Sequence, residues 1–165
     1  MRDTYCDAPL WWLTKDGDRT AVALYSRHYS ARRYRDGRTR RKITGPGDYL
    51  MLRTAAGDAL FLWRKFRDAC IDPRTGGPQA GIYCAAFRNE GAHQSSTLIR
   101  QADRIADLIW PDRRHYTYVC QEDVRSGLPG ACFLYADWRY VRFRGHRART
   151  KARGLLILER IRNGD

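Results

Sequence analysis

The sequence predicts a single α+β domain over residues 1–165, with a mixed central β-sheet flanked by helices. Three observations predict this class. The apolar run at residues 82–87 is nearly continuous, as in a strand that is covered on both faces. A long amphipathic helix follows it directly. Further apolar or alternating runs, bounded by glycine-rich breakers, indicate additional strands. A chain of 165 residues is long enough to bury a core.

The first half of the chain is predicted as a helix, a basic loop and a β-hairpin. Asp18 is a suitable N-cap for a helix over residues 18–34, because apolar residues follow it at helical spacing. The arginine-rich run up to Lys42 is predicted as a loop. Residues 45–54 and 59–66 are predicted as two strands, joined by the turn "AAGD".

The second half is predicted to alternate strands and helices. A buried strand over residues 80–91 leads into a helix over residues 95–111, and a strand over residues 115–120 follows. Residues 126–138 contain a short helix opened by proline, and residues 139–162 form a final β-hairpin with a long basic loop. The long helix is predicted to bury Leu98, Ile99, Ala102, Ile105, Ala106 and Ile109, and to expose Arg100, Gln101, Asp103, Arg104 and Asp107.

The positive charge is concentrated in two stretches. Residues 27–42 and residues 139–153 each carry a net charge of +7, whereas the whole chain carries +13, so the remainder is about neutral. Such clustering predicts a polyanionic partner. The predicted nucleic-acid contacts are Arg32, Arg33, Tyr34, Arg40, Arg41, Lys42, Arg142, Arg144, Arg147, Arg149 and Lys151. A solvated charged surface is the alternative.

No membrane partner is expected. The chain has no apolar run of the length that spans a bilayer, no hydrophobic segment near its start, and no apolar face along either basic stretch. Its five cysteines include no C-x-x-C spacing, which predicts reduced thiols in a cytoplasm. Cys84, Cys120 and Cys132 lie in apolar runs and are predicted as small core residues.

The segment "FRNEGAHQSSTLI" is a candidate anion site. It places Gly91, Ser95, Ser96 and Thr97 where a buried strand passes into a helix. Backbone N–H groups and the positive end of the helix dipole favour a phosphate or diphosphate there. The alternative is that Ser95 or Ser96 is an ordinary N-cap.

Four side chains are candidates for catalysis from their chemistry. His28 can act as a base near pH 7, or can pack at the end of the first helix. Arg88 can hold a phosphate or orient an acyl group, and Glu90 can serve as a general base through a water molecule. A salt bridge at the sheet edge is the alternative for both. Tyr135 can protonate a leaving thiolate, or can pack in the core.

The order of elements over about residues 80–160 resembles the second half of the GNAT acyltransferase fold. In that family the short helix supplies a tyrosine near the thioester, and the matching segment here is Tyr135-Ala136-Asp137-Trp138, with Asp137 where the family usually has glycine. The usual glycine-rich acyl-CoA signature is replaced by "RNEGAHQSS". The resemblance implies a GNAT-like fold and acetyl-CoA or a related acyl-CoA as cofactor.

Within that superfamily the chain most resembles the Mom-like DNA-modification proteins of bacteriophages. The resemblance is carried by "RHYS", the serine-rich helix start after "FRNEG", and "LPGACFLYADWR". It implies transfer of an acyl-derived group to a base amine of DNA in the host cytoplasm, as an anti-restriction device. It also implies an iron site at His28, Tyr29 and Asp123, and it leaves a homodimer open. The alternatives are an N-acetyltransferase acting on tRNA, protein or a small amine, and a non-enzymatic nucleic-acid-binding domain.

Overall fold

The computed structural model describes residues 8–31, 33–111, 114–124 and 127–162, and these form an α+β fold. The elements in chain order are β1 (Trp11–Thr14), α1 (Arg19–Ser26), β2 (Asp48–Thr54), β3 (Ala59–Lys65), β4 (Ile82–Asn89), α2 (Ser95–Ile109), β5 (Arg114–Val119), α3 (Ala131–Leu134), β6 (Arg139–Tyr140), β7 (Arg142–Phe143), β8 (His146–Arg147) and β9 (Leu156–Ile161). Seven strands form one sheet in the order β1-β2-β3-β4-β5-β9-β6. Its neighbours are antiparallel except β4 and β5, which are parallel. The predicted α+β class with a mixed sheet is confirmed.

Helices cover both faces of this sheet. Alternate residues of its strands point to opposite faces, so Met51 and Leu62 pack with α1 whereas Leu52 and Trp63 pack with α2 and α3. All four side chains are almost completely buried. Burial of each such side chain contributes roughly 1.5–3 kcal/mol to folding. The sheet is therefore held between two apolar layers.

The start of the chain differs from the prediction in two ways. Asp18 caps α1 as predicted, and its carboxylate accepts the Ala21 N–H at 2.8 Å. However, α1 ends at Ser26 rather than at residue 34, because the residues after Tyr25 offer no apolar stripe that could pack on the sheet. Strand β1 was not predicted. It has only four residues, and Trp11 alone among them is buried.

Helix α2 begins and ends close to its predicted bounds, but its inner face is wider than the apolar stripe. Gln101 and Asp103 were predicted to face solvent and are buried instead. Asp103 lies 2.7 Å from His115 Nδ1 on β5 and accepts the Trp138 indole N–H at 2.9 Å. A buried carboxylate with these partners fixes α2 on the sheet.

The last part of the chain closes the sheet largely as predicted. Strands β6 and β9 pair antiparallel, and the basic segment between them contains the small β7–β8 hairpin. Helix α3 begins after Gly130, which adopts a left-handed conformation with φ of 75°. In the described part of the chain, every helix is too short or too polar to cross a bilayer.

Candidate active site

A cavity opens where β4 and β5 separate. The two strands pair over three residues each, Ile82–Cys84 with His115–Thr117. Strand β4 then carries a β-bulge, since Leu62 of β3 pairs with Ala86 and Trp63 with Cys84, which leaves Ala85 as the extra residue. Beyond this point β4 and β5 diverge, and a cavity of about 760 Å³ occupies the gap.

The cavity passes through the plane of the sheet. Its wall near α1 comprises the turn from His28 to Ala31 together with aromatic side chains of β4 and β5. Its opposite wall comprises Phe87 and the residues of α3 from Ala131 to Phe133. Cys120 and Cys132, predicted as core residues, are half-buried and line this cavity. Burial raises the pKa of the Cys132 thiol to about 11, so it is neutral near pH 7.

His28 lies at the cavity wall with its imidazole held by the protein. Its Nδ1 accepts the Ser30 N–H at 3.2 Å and lies 2.8 Å from Ser30 Oγ. The backbone of Phe87 on β4 also interacts with the ring. Burial, and then the charge of Arg88, lower the pKa of His28 to about 4. The ring is therefore neutral near pH 7 and is suited to hold neighbouring groups in place rather than to take up a proton.

Tyr29 and Asp123 line the same cavity as His28, as the resemblance implied. The ring of Tyr29 packs on that of His28 with centroids 4.4 Å apart. Although 46% of Tyr29 is exposed, burial of its phenol raises its pKa to about 12, so it remains a proton donor at neutral pH. Asp123 is exposed in the turn after β5, where a carboxylate can accept an N–H group.

A buried carboxylate that the sequence did not reveal lies behind the α1 side of the cavity. Asp68, in the loop after β3, is 5% exposed and accepts the hydroxyls of Tyr116 at 2.8 Å and Tyr118 at 2.7 Å. Its other oxygen accepts the Cys70 N–H at 2.9 Å. Tyr118 and Tyr83 line the cavity, with ring centroids 5.2 Å apart. No local motif marks Asp68, because its partners come from a strand almost 50 residues later.

Burial sets the protonation of this tyrosine cluster. Loss of solvation, and then the hydrogen bond to Asp68, raise the pKa of Tyr116 and Tyr118 well above the ordinary value. Loss of solvation also raises the pKa of Tyr83. All three phenols are therefore neutral, and Tyr83 and Tyr118 present aromatic surface to the cavity.

Arg88 and Glu90 form an ion-pair cluster at the end of β4. The Glu90 carboxylate accepts two hydrogen bonds from Arg27, both at 2.8 Å, and one from Arg88 at 2.5 Å. Arg88 also donates to the Arg27 carbonyl at 2.6 Å. The hydrogen bonds from Arg27 and then Arg88 lower the pKa of Glu90 to about 2. This geometry favours the salt-bridge interpretation over general base catalysis, since such a carboxylate is a weak base.

The candidate anion site at the start of α2 is organised by Asn89. Its amide donates to Ser95 Oγ at 3.0 Å and to the His93 carbonyl at 2.7 Å, and its oxygen accepts the Gly91 N–H at 3.0 Å. A Cβ at Gly91 would lie 2.1 Å from the Asp58 carboxylate, so a larger residue would have to displace that side chain.

The serines at this helix start do not act as the predicted N-cap. The N-cap residue is Gln94, whose side chain makes no capping hydrogen bond, and Ser95 is the first residue of the helix. Ser96 is buried, whereas Ser95 and Thr97 are half-buried. Backbone N–H groups of this first turn and the hydroxyls of Ser95 and Thr97 are thus the groups that a phosphate would meet.

Tyr135 lies outside the cavity wall. It follows α3, is 66% exposed, and its carbonyl accepts a hydrogen bond from Arg100. The cavity is lined instead by the preceding residues of α3, among them Cys132. The core packing considered for Tyr135 is not seen either.

The iron site implied by the resemblance does not fit the side chains as they are arranged. His28 Nδ1 already accepts the Ser30 N–H, which leaves only one ring nitrogen for a metal ion. Among the described residues, no three His, Cys, Asp or Glu side chains are grouped closely enough to bind a metal ion. We therefore consider His28, Tyr29 and Asp123 as cavity residues without a metal.

The first basic stretch, residues 27–42, folds into a loop fixed at its end. The Asp16 carboxylate accepts the Ile43 N–H at 2.7 Å. Within the loop, the guanidinium carbons of Arg38 and Arg40 lie 4.3 Å and 5.5 Å from the Tyr34 ring centroid. Such cation–π contacts stiffen the loop.

The predicted nucleic-acid contacts of this loop differ in accessibility. Arg33, Arg41 and Lys42 are exposed and form no ion pair within the described residues. Tyr34 and Arg40 are half-buried, and Arg32 lies outside the described residues. The exposed cations are therefore available to phosphates.

The second basic stretch, residues 139–153, surrounds the β7–β8 hairpin. All five of its predicted contacts are exposed, namely Arg142, Arg144, Arg147, Arg149 and Lys151. Arg149 has a different role, since it donates to the Gly154 carbonyl at 2.9 Å and to Gln121 at 2.8 Å. Arg153, which was not singled out in the sequence, lines the cavity at the end of this stretch.

The structure thus brings three of the predicted catalytic residues, His28, Tyr29 and Asp123, into one cavity and leaves Arg88, Glu90 and Tyr135 outside its wall. The predicted cofactor-binding residues also lie outside that wall, namely Gly91, Ser95, Ser96 and Thr97. Comparisons of the chain with protein-family models, with curated proteins and with solved structures give no match. The chemistry of the cavity and its surroundings is therefore the basis for a function.

Proposed function

We propose that this protein is a GNAT-like acyltransferase that transfers an acyl-CoA-derived group to an amine of a DNA base, as the resemblance to Mom-like proteins implies. The observation that carries the proposal is the cavity where the parallel strands β4 and β5 diverge, which is lined by residues of both faces of the sheet and by Arg153 of a basic stretch. One face offers the unpaired backbone edge of β4. The other offers aromatic side chains and a carboxylate.

The α2 and α3 side suits the acyl donor. Acyl-CoA supplies a thioester carbonyl that an amine can attack. The edge of β4 beyond Cys84 is not paired with β5, so its backbone groups can hydrogen-bond an extended ligand chain that carries amides. Further on, the first turn of α2 offers N–H groups with Ser95 and Thr97 to a diphosphate.

The α1 side suits a planar acceptor. Tyr29, Tyr83 and Tyr118 provide faces on which a base can stack, since base–aromatic stacking requires only a π-surface. Asp123 can accept hydrogen bonds from an exocyclic amine. His28 holds the segment that carries Tyr29 against β4 through Phe87.

In the transfer step, the amine attacks the thioester carbonyl, and the C–N bond forms as the C–S bond to CoA breaks. Asp123 accepts the amine proton, the Tyr29 hydroxyl donates a proton to the departing thiolate, and solvent returns that proton to Tyr29 from Asp123. Positioned proton transfer of this kind contributes roughly 100- to 10,000-fold to a rate. The exposed arginines of both basic stretches add affinity for the phosphate backbone that does not depend on sequence.

Mass spectrometry of nucleosides tests this proposal. DNA from cells that express the protein is expected to contain a modified nucleoside, and Asp123→Asn should reduce its amount about 100-fold. The matched control is Glu122→Gln, an exposed neighbour that does not line the cavity, which should leave the modification unchanged.

The same cells separate the alternatives. A mass increase in tRNA beside unmodified DNA would move the acceptor to tRNA. Unmodified DNA and tRNA, together with no acyl-CoA binding in a calorimeter, would overturn the transferase and leave a nucleic-acid-binding domain.

A further inference from the structure

The β7–β8 hairpin stands apart from the main sheet and is stabilised poorly by its own residues. Each strand has two residues, a length at which an isolated hairpin is marginal in water. Its pairs are Arg142 with Arg147 and Phe143 with His146. Arg144 and Gly145 form the turn with φ of 49° and 81°, the conformation of a type I′ turn.

The charges of the hairpin oppose its formation. Arg142 and Arg147 lie directly opposite each other, and like charges at such a pair are destabilising. Arg144 occupies the first turn position, where asparagine or aspartate is usual because arginine disfavours positive φ. None of these three arginines forms an ion pair within the part of the chain that is described. A polyanion would relieve this repulsion.

Two arginines of the hairpin lie over aromatic rings, one at its tip and one at its base. The guanidinium of Arg144 lies 5.1 Å from the ring centroid of Phe143, and that of Arg147 lies 4.1 Å from the ring centroid of Tyr140. Phe143 is 36% exposed beside the turn. An exposed phenylalanine flanked by arginines has the chemistry of the wedges that proteins insert between base pairs.

The base of the hairpin adjoins the cavity. Val141 and Ala148 are buried and pack on Ile157 of β9, and Tyr118 packs against this cluster while it lines the cavity. The Ala148 N–H donates a hydrogen bond to the Val141 carbonyl at 2.7 Å. A base displaced by the hairpin would therefore have a stacking surface close by.

We propose that the β7–β8 hairpin opens duplex DNA, with Arg142, Arg144 and Arg147 on phosphates and Phe143 inserted between base pairs, so that a base can enter the cavity. This inference rests on the proposed function, because it takes DNA as the acceptor. It assigns a separate element to the unstacking step that any enzyme acting on a base in a duplex requires.

Permanganate reactivity tests the opening, because permanganate attacks unstacked thymines wherever they occur in a duplex. A linear duplex of several hundred base pairs is incubated with the full chain, and affinity is measured separately by the anisotropy of a labelled 30-base-pair duplex. Wild-type protein is expected to increase thymine reactivity. Phe143→Ala should abolish the increase and weaken binding about tenfold at most, as for the loss of one stack.

Matched variants isolate each part of the hairpin. Phe143→Trp keeps an aromatic wedge and should retain the reactivity, and Leu108→Ala, which removes an exposed side chain of α2, should change nothing. Arg144→Asn suits the turn better than arginine but removes one charge. It should lower the slope of log affinity against log salt by about one while it keeps the hairpin folded.

Each outcome decides the matter. Tight binding without increased reactivity, or an equal increase with Phe143→Ala, would overturn the wedge and leave DNA as a partner. Absence of duplex binding at low salt would overturn both the wedge and the DNA acceptor. Increased thymine reactivity that depends on Phe143, together with no modified nucleoside in the DNA of cells that express the protein, would support the hairpin and overturn DNA modification.

Discussion

Glu90 and Asp68 are two carboxylates near the cavity that are stabilised in opposite ways. Glu90 lies in solvent at the end of β4, where the charges of Arg27 and Arg88 hold it. Asp68 is buried, pairs with no cation among the described residues, and is held by neutral tyrosine hydroxyls and a backbone N–H. Solvent-exposed ion pairs contribute little to stability, whereas a buried polar group that loses its partners is costly. Glu90, which the sequence analysis singled out, is thus expected to contribute less to stability than Asp68, which it did not.

Asp68→Ala should give the largest effect. It leaves the hydroxyls of Tyr116 and Tyr118 and the Cys70 N–H without their acceptor, so the free energy of unfolding should fall by about 3 kcal/mol. Urea denaturation followed by circular dichroism measures this change. Asp48→Ala, at an exposed position at the start of β2, is the control and should change it little. A decrease of less than about 1 kcal/mol in the free energy of unfolding of Asp68→Ala would show that Asp68 contributes no more to stability than an exposed ion pair such as that of Glu90.

Alkaline pH should lower the stability of the protein through the tyrosines that bind Asp68, with an effect between those of Asp68→Ala and Glu90→Gln. Tyr116 and Tyr118 have pKa values raised above the unfolded value of 10.0, because burial disfavours the phenolate. The stability that they contribute is therefore fully present below pH 10 and is lost as pH rises above it. Tyr118→Phe keeps the ring and removes one ionisation, so its urea midpoint should decline less steeply between pH 9 and about pH 12 than that of the wild type. Equal slopes would refute this role for Tyr118.

Glu90→Gln should have the smallest effect. Hydrogen bonds from Arg27 and Arg88 lower the pKa of Glu90 from 4.5 to about 2. The stability that it contributes is present above pH 4.5 and is lost as pH falls towards 2. Because the pairs are exposed, the difference in urea midpoint between wild type and variant should be small at pH 7 and should shrink in 1 M salt. A large difference that persists in high salt would place Glu90 beside Asp68 in importance.

The elements that local pattern determines were predictable. Helix α2, strands β2, β3 and β4, and the N-cap Asp18 each follow from an apolar period or a capping residue within a few positions. Strand β1 was missed because four residues carry too little pattern. Helix α1 was extended too far, because helical spacing in the sequence continues past the residues that pack on the sheet.

The candidate site was predictable only in part. His28 was singled out from its chemistry, Tyr29 and Asp123 through a resemblance, and all three lie in one cavity. Asp68 was not singled out, because only its partners distinguish a buried aspartate from an exposed one. Those partners, Tyr116 and Tyr118, lie on β5, far from Asp68 in the sequence. The outward assignment of Asp103 failed for the same reason, since its hydrogen bond with His115 depends on the tertiary structure.

The bulge at Ala85 also changes the phase of strand β4. Before it, Ile82 and Cys84 point to the α2 face, whereas after it Ala86 points to the α1 face and Phe87 to the α2 face. Even-numbered residues thus exchange faces with odd-numbered ones within a single strand. If the same residues alternated strictly, with no bulge, Phe87 would point to the α1 face. The extra residue in β4, and not only the composition of the strand, therefore determines what each side of the cavity can bind.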